Sequence, residues 1–277
     1  MTPALLGNLG VSLALAFSLL GLALGLLAYF QGDGRFLKGS RALAPLALLG
    51  ALAAFLALEW ALLTHDFSLA YVARNHSTKD PLWVTLVTPW AALEGSILLW
   101  GLLQTLYTLL ASRKPLDPWR ASLVLAVLYG VQVFFFGVMA TIASPFETLA
   151  SPPQDGVGPN PLLQNHWMMA VHPVLMYLGF VGLSVPFAYA VAAMASRRYQ
   201  TWVEETRWWT LIAWGFLTAG KVAGMWWSYE VLGWGGTGPG TRWRTPASSP
   251  GFSPPPSCTR PSCNRPGGPS RPGTSPS

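Results

Sequence analysis

Four histidines, at positions 65, 76, 166 and 172, are the side chains in this sequence best suited to chemistry. His172 is distinctive because Pro173 follows it at the start of an apolar run, and proline suits the first turn of a helix, where no N–H donor is needed. An imidazole fixed in this way can act as an axial ligand of a heme iron. It can equally form a hydrogen bond at the membrane surface, and the residues alone leave both interpretations open.

Tryptophan is the second group of interest, with 14 copies in the chain. Trp226, Trp227 and Trp234 lie close to the pair Gly235 and Gly236. One interpretation is an aromatic belt at the membrane interface. The other is a binding surface, because two glycines beside a tryptophan let a planar ligand approach the backbone closely. We favour the binding surface for residues 234–236.

The elements that carry these residues are predicted to be membrane helices. Only 10% of the 277 residues are charged, compared with about 25% in an average soluble domain. Crossing the hydrocarbon core takes roughly 20 apolar residues in a helix, and several stretches reach or approach that length. We therefore predict an all-α, polytopic bundle with about six spans, at residues 6–30, 42–63, 94–110, 122–142, 174–194 and 210–227.

The loops between these spans differ in their content of Lys and Arg. The first, third and fifth loops carry nine basic residues, whereas the second and fourth carry only Arg74 and Lys79. Because basic loops stay in the cytoplasm, we predict that the amino terminus is extracytoplasmic. All four histidines then lie at or beyond the outer membrane face.

The formal net charge of +6 does not indicate a nucleic-acid partner. Five of the 17 basic residues lie after Gly236, where there is no Asp or Glu, and the other 12 nearly balance the 11 acidic residues. Cys258 and Cys263 also lie after Gly236, with four residues between them and no histidine following. This spacing is typical of neither a heme-attachment site nor a metal site.

Several motifs give the chain a resemblance to the CcmF family of cytochrome c-type biogenesis proteins. Residues 160–164 read Asn-Pro-Leu-Leu-Gln, and residues 172–182 read His-Pro-Val-Leu-Met-Tyr-Leu-Gly-Phe-Val-Gly. Further matches lie at residues 71–75, 94–100, 144–146 and 226–236. Their order and spacing resemble the family across residues 1–236, and the last string resembles the opening of its tryptophan-rich heme signature.

This resemblance implies a role for the residues singled out above. His172 would ligate heme, and Trp226, Trp227, Trp234, Gly235 and Gly236 would belong to the surface on which heme rests. The activity implied is presentation of heme at the outer face of the bacterial cytoplasmic (inner) membrane, for covalent attachment to apocytochrome c by a heme lyase. The implied partners are heme, apocytochrome c, a heme chaperone, an apocytochrome thiol-handling subunit and membrane lipid. The residues supply no general acid or nucleophile for this attachment.

The chain departs from the family pattern at Leu93, where the family usually carries a histidine. Val174 replaces a second proline, and Lys221 replaces an apolar residue. A different class of function, transport of a small molecule or an ion, remains the alternative. In that case Glu59, Glu94 and Lys221, the ionisable residues inside predicted spans, would form the pathway.

The last 41 residues have the composition of a disordered segment, rich in Pro, Ser, Gly, Thr and Arg. The family signature should instead continue with a Trp-x-Trp-Asp-Pro-Val-Glu-Asn-Ala string. When the codons for residues 237–246 are regrouped one base earlier, they permit Tyr-Trp-Ala-Trp-Asp-Pro-Val-Glu-Asn-Ala. The single codon of Trp243 forces the glutamate once Arg244 is read as AGR.

The same regrouping across Cys258 and Thr259 permits only His or Tyr, where the family has an intramembrane histidine. We therefore divide the chain into a transmembrane domain at residues 1–236 and a frame-shifted tail at residues 237–277. A natural proline-rich linker is the alternative, and the gene sequence around codons 236 and 237 distinguishes the two.

Overall fold

The computed structural model describes residues 2–159, 166–197 and 202–232. These ranges contain helices, turns and one isolated bridge, between Leu69 and Thr148, and they confirm the predicted all-α class. A 3₁₀ turn, Thr88–Trp90, lies just before the fifth helix. The α-helices are α1 Pro3–Gln31, α2 Gly34–Leu63, α3 Ala70–Asn75, α4 Leu82–Val87, α5 Leu93–Ser112, α6 Pro118–Thr141, α7 Met168–Gly182, α8 Ser184–Ser196 and α9 Trp202–Leu232.

Five of the six predicted spans lie on helical stretches long and apolar enough to cross a membrane. These are α1, α2, α5, α6 and the combined stretch of α7 and α8. The sixth predicted span, residues 210–227, lies within α9, which is 31 residues long. This helix is not among those apolar enough to cross a membrane, because Lys221 and several tryptophans interrupt its aliphatic residues.

Helices α1 and α2 form an antiparallel hairpin whose turn is set by local capping. Gly32 ends α1 with φ of 69°, a left-handed conformation that favours glycine. Asp33 then begins α2, and its side chain accepts a hydrogen bond from the Arg35 amide at 2.8 Å. Helix α2 therefore starts eight residues before the apolar run that predicted it, because charged residues at the membrane surface can be helical.

Small residues let these two helices approach closely. A Cβ atom at Gly10 would lie 2.7 Å from the backbone nitrogen of Ala54, and one at Gly50 would lie 2.9 Å from the backbone nitrogen of Ala14. Between membrane helices, close backbone contact of this kind supplies van der Waals packing that apolar burial alone does not. The hairpin is thus a tightly packed base for the rest of the bundle.

A chain of hydrogen bonds links four helices inside the bundle. Ser18 of α1 donates to Gln132 of α6 at 2.8 Å, and Gln132 donates to Thr108 of α5 at 2.6 Å. On the same face of α5, Gln104 accepts from Ser184 of α8 at 2.8 Å. Ser18, Gln104, Thr108 and Gln132 are fully buried. Because unsatisfied polar groups are costly away from water, these bonds fix how the four helices align.

One end of the bundle is held by an ion pair between α6 and α9. Both terminal guanidinium nitrogens of Arg120, Nη1 and Nη2, donate to the carboxylate of Glu205, Nη1 at 2.9 Å. Arg120 is buried, and Asp117 lies 3.8 Å from the same guanidinium. The loops predicted to be cytoplasmic lie at this end.

The opposite end gathers the loops that carry the histidines. The segment after α2 pairs with the segment after α6, since the Ala70 amide donates to the Glu147 carbonyl at 2.8 Å and the Leu149 amide donates to the Ser68 carbonyl at 2.8 Å. Asp155 accepts hydrogen bonds from the amide and hydroxyl of Thr78. The predicted grouping of the histidine-bearing loops at one end of the bundle is therefore observed.

The predicted fifth span is divided into α7 and α8 at Leu183. Pro186 has no N–H to donate to the carbonyl of Gly182, which weakens the helix at this point. Two side chains of α5 brace the break: Tyr107 donates to the Leu178 carbonyl at 2.8 Å, and Gln104 accepts from Ser184. The first half, α7, carries His172 and leans against α9.

Candidate functional site

A cavity of about 490 Å³ opens at the histidine-bearing end of the bundle, between the start of α5, α7 and the last turns of α9. Its walls are mainly aromatic and apolar, with His172 and Ser96 as polar members. The lining residues are Trp90, Ala91, Ala92, Leu93, Ser96, Trp100, Met169, His172, Pro173, Met176, Tyr177, Phe180 and Trp227. An apolar pocket of this size with a few polar groups is typical of a site for a small molecule or a cofactor.

His172 is held by one ring nitrogen and leaves the other without a partner among the described residues. Its Nδ1 atom lies 2.8 Å from the Gly220 carbonyl oxygen. Because a carbonyl can only accept, Nδ1 carries the proton, and in the neutral form of the ring Nε2 is then the acceptor. A histidine that binds a metal typically donates its other N–H in this way, which fixes the orientation of the ring.

The imidazole lies directly against the backbone of α9. A Cβ atom at Gly224 would lie 2.6 Å from Cε1 of His172 and 2.9 Å from Nδ1. Gly220, four residues earlier, supplies the carbonyl that accepts the hydrogen bond. Glycine at position 224 is therefore required for the imidazole to approach the helix.

Trp227 brings an indole to the same cavity. Its ring centroid lies 5.8 Å from that of His172. The indole nitrogen is buried and has no hydrogen-bond partner among the described residues, which is unusual for a buried tryptophan. The structure thus brings together two of the predicted site residues, His172 and Trp227, on neighbouring helices.

Trp226 belongs to a neighbouring cluster and is not among the residues that line the cavity. It is 48% exposed, packs edge-on against Trp167 with centroids 5.6 Å apart, and donates from its indole to Glu230. His166 also contacts the Glu230 carboxylate through Nε2, and its Nδ1 accepts from the Met168 amide at 3.2 Å. The hydrogen bonds from His166 and Trp226 lower the pKa of Glu230, and the contact with His166 ties the segment before α7 to the end of α9.

Some predicted site residues lie outside the described residues. They are Trp234, Gly235 and Gly236, together with the Asn-Pro-Leu-Leu-Gln string at residues 160–164. Helix α9 ends at Leu232, so the described part of the tryptophan-rich string comprises Trp226, Trp227 and the residues up to that point.

The remaining histidines form a separate pair beyond α2. Nδ1 of His65 lies 2.7 Å from Nε2 of His76, and the two rings are nearly parallel with centroids 4.9 Å apart. His76 is fully buried, and this burial lowers its pKa, although Asp80 lies 3.2 Å from its Nδ1. No group of three or more His, Cys, Asp or Glu side chains that could hold a metal ion occurs within the described ranges.

The three ionisable residues inside predicted spans do not meet in the cavity. Both carboxylate oxygens of Glu59 are buried without a partner in the part of the chain that the structure describes. Glu94 lies in the first turn of α5, where the helix dipole favours a negative charge. Lys221 is exposed on α9. None of them lines the cavity, so the geometry gives no support to a shared transport pathway through it.

The sequence did not indicate several residues that shape the cavity. Trp90 and Tyr177 line it, and of these two the sequence marked only Tyr177, as part of the string at residues 172–182. Gly95 of the Glu-Gly-Ser motif packs so closely that a Cβ atom there would lie 1.9 Å from the Pro89 carbonyl oxygen. The motif at residues 94–100 was the feature of the sequence that pointed to this region, since it lies where α5 follows the turn Thr88–Trp90.

The fold and the site define a polytopic helical membrane protein with an aromatic, histidine-containing cavity at one end of its bundle. Comparison with known proteins identifies which one it resembles: residues 90–237 match the family described as "Cytochrome C assembly protein". The chain belongs to this family.

Individual relatives agree with this membership. The CcmF protein of Escherichia coli is 41% identical over 237 residues, which cover 83% of this chain and 36% of that protein. The ccl1 protein of Rhodobacter capsulatus is 41% identical over 197 residues. A solved structure titled "Cytochrome c Heme Lyase CcmF" is 88% identical, with a TM-score of 0.78, and covers 85% of this chain and 38% of that chain. The chain therefore spans about a third of the length of the relatives it matches.

Proposed function

We propose that this chain binds heme and presents it at the extracytoplasmic membrane face for covalent attachment to apocytochrome c. The observation that carries the proposal is His172, whose Nδ1 proton is engaged by the Gly220 carbonyl while Nε2 has no partner within the described ranges. This arrangement fits an axial ligand of iron. The flat aromatic lining of the cavity fits the faces of a porphyrin.

Heme is the substrate in this proposal, and the vinyl groups that receive the cysteine thiols belong to it. The part played by the protein is to bind, orient and shield the heme. His172 would hold the iron from one side, and Trp227 would lie against the porphyrin. Trp226, Trp234, Gly235 and Gly236 would continue that surface beyond the cavity.

The resemblance to the CcmF family motivates the proposed partners and location. We infer that apocytochrome c, a heme chaperone and an apocytochrome thiol-handling subunit contact the outer face, and that the protein is embedded in lipid of the bacterial cytoplasmic (inner) membrane. The amino terminus is proposed to be extracytoplasmic. The clustering of basic residues in the first, third and fifth loops supports this orientation.

We further propose that residues 237–277 are a frame-shifted tail. The family match ends at residue 237, and the alignment with the Escherichia coli relative covers only 83% of the chain. Both observations support a division at residue 236. The Trp-x-Trp-Asp string and the later histidines of the family would then be absent, and one axial ligand alone would hold heme weakly.

Heme titration of the purified protein in detergent tests the binding proposal. We expect a Soret shift on titration, and His172→Ala should weaken binding at least about tenfold because it removes the iron ligand. His65→Ala is the matched control, since His65 lies outside the cavity, and it should bind like the unaltered chain. If His172→Ala binds heme normally and His166→Ala does not, the assigned ligand is wrong.

Restoring the reading frame tests the second proposal. Sequencing the gene around codons 236 and 237 identifies the base to restore, and the restored chain should support cytochrome c maturation in cells that lack their own heme lyase. The chain that keeps the present reading frame after residue 236 should not support maturation. If the 277-residue chain supports maturation, and mass spectrometry detects no protein of greater length, the proposal is overturned.

A further inference from the structure

Pro173 leaves one backbone carbonyl of α7 without its helical donor. In an α-helix the amide of residue 173 donates to the carbonyl of residue 169, but proline has no N–H. Met169 is only 2% exposed, so water has little access to this carbonyl. The indole nitrogen of Trp90 lies 3.3 Å from the Met169 oxygen and donates to it. A side chain from the turn before α5 thus replaces the hydrogen bond that the His-Pro sequence removes.

Trp90 is tied to α7 a second time, through its own carbonyl. The Ser96 hydroxyl donates to the Trp90 carbonyl at 3.1 Å, and Tyr177 donates to Ser96 at 3.1 Å. Tyr177 lies eight residues after Met169, a little more than two helical turns. The two ties therefore bracket His172, which lies between them on the cavity side of α7.

The turn that carries Trp90 is itself firmly held. Tyr71, which is buried, donates to the carbonyls of Thr88 and Pro89 at 2.8 and 3.2 Å. Gly95 packs against the Pro89 carbonyl. Trp90 therefore projects from a fixed support and acts on α7 from outside that helix.

We propose that Trp90 is the positioning residue for His172, and that its indole N–H sets the start of α7 by replacing the donor that Pro173 lacks. The effect of Trp90 on heme affinity rests on the function proposed above. The hydrogen-bonding role of Trp90 does not depend on it. Removing the N–H would leave a buried carbonyl unsatisfied, which loosens the first turns of α7.

The experiment compares Trp90→Phe, Pro173→Ala and the double variant in the full chain, purified in detergent without heme. Hydrogen exchange of the amides of residues 170–177 is measured by mass spectrometry. Trp90→Phe should accelerate exchange about tenfold, because a lost hydrogen bond to a buried carbonyl makes local opening easier. Adding Pro173→Ala should restore protection, because the new amide can donate to Met169. Trp83→Phe, on the exposed side of α4, is the matched control and should exchange like the unaltered chain.

Rescue distinguishes the proposed role from general loss of packing, since Pro173→Ala returns the missing donor but does not replace the volume of the Trp90 indole. If Trp90→Phe exchanges like the unaltered chain, or if the double variant exchanges as fast as Trp90→Phe, the proposal is wrong. Heme titration of the same variants forms a separate arm. Trp90→Phe should raise the dissociation constant about fivefold, with recovery in the double variant. Absence of heme binding in the unaltered chain would overturn the proposed function while leaving the exchange result intact.

Discussion

Replacing Gly224 by alanine should destabilise the protein, although alanine is ordinarily the better helix former. In the interior of a helix this change gains about 1 kcal/mol. Here the new Cβ atom would lie 2.6 Å from Cε1 of His172, about 1 Å closer than a normal carbon contact. The imidazole would have to move away from α9, and its 2.8 Å hydrogen bond to the Gly220 carbonyl would be broken.

The opposing contributions give the sign of the effect. Overpacking of this kind costs about 1–3 kcal/mol, and the lost hydrogen bond costs about 1 kcal/mol. The net result is a destabilisation of about 1–3 kcal/mol, which lowers Tm by about 2–4 °C for each kcal/mol in a protein of this size. Heme affinity should fall as well, because the ring no longer has its orientation fixed.

The assay is thermal unfolding in detergent, with Gly215→Ala as the matched control. Gly215 lies on the same helix, and a Cβ atom there would meet nothing within 4 Å. This variant should keep or raise Tm through helix propensity alone. If Gly224→Ala raises Tm as much as Gly215→Ala does, the contact between His172 and α9 does not exist as described.

Three further results are expected. Arg120→Met should lower Tm by several degrees because it leaves Glu205 without its bidentate partner, whereas Arg113→Met, at an exposed position, should leave Tm unchanged; equal Tm values would contradict this. Burial lowers the pKa of His76 from 6.5, so the unfolded chain takes up its proton first, and stability present above pH 6.5 should be lost as pH falls. His76→Asn should flatten that dependence in acid unfolding, and an unchanged slope would rule His76 out as its source. A reporter fused after Asp155 should lie on the extracytoplasmic side of the membrane, and one fused after Lys114 should lie in the cytoplasm. Reversed signals would overturn the predicted orientation.

Much of the fold could be predicted from the sequence, because apolar runs and the positions of basic residues can be read directly along the chain. The helix boundaries were less accurate, since α2 begins at Gly34 through the Asp33 cap, well before its apolar run starts. The division at Leu183 also escaped prediction. Pro186 was visible in the sequence, but the side chains of Gln104 and Tyr107 that stabilise the break come from a distant helix.

The candidate site was only partly predictable for a similar reason. His172 and Trp227 could be singled out because their local motifs carry the signal, and the structure brings them to one cavity. Trp90 could not, because its contact with Met169 joins residues 79 positions apart. The missing donor at Pro173 is visible in the sequence, but the donor that replaces it depends on tertiary packing.

The hydrogen-bonded chain from Ser18 to Ser184 has a consequence for membrane insertion. An amide side chain such as Gln132 is costly in lipid until its partners are inserted beside it. Its partners on α1 and α5 leave the ribosome earlier, whereas Gln104 acquires the Ser184 contact only when α8 follows. Ser184 is the last of these hydrogen-bonded residues to be synthesised. All of these residues are therefore encoded before codon 237, so the reading frame beyond that codon does not decide whether the buried polar groups of the bundle have partners.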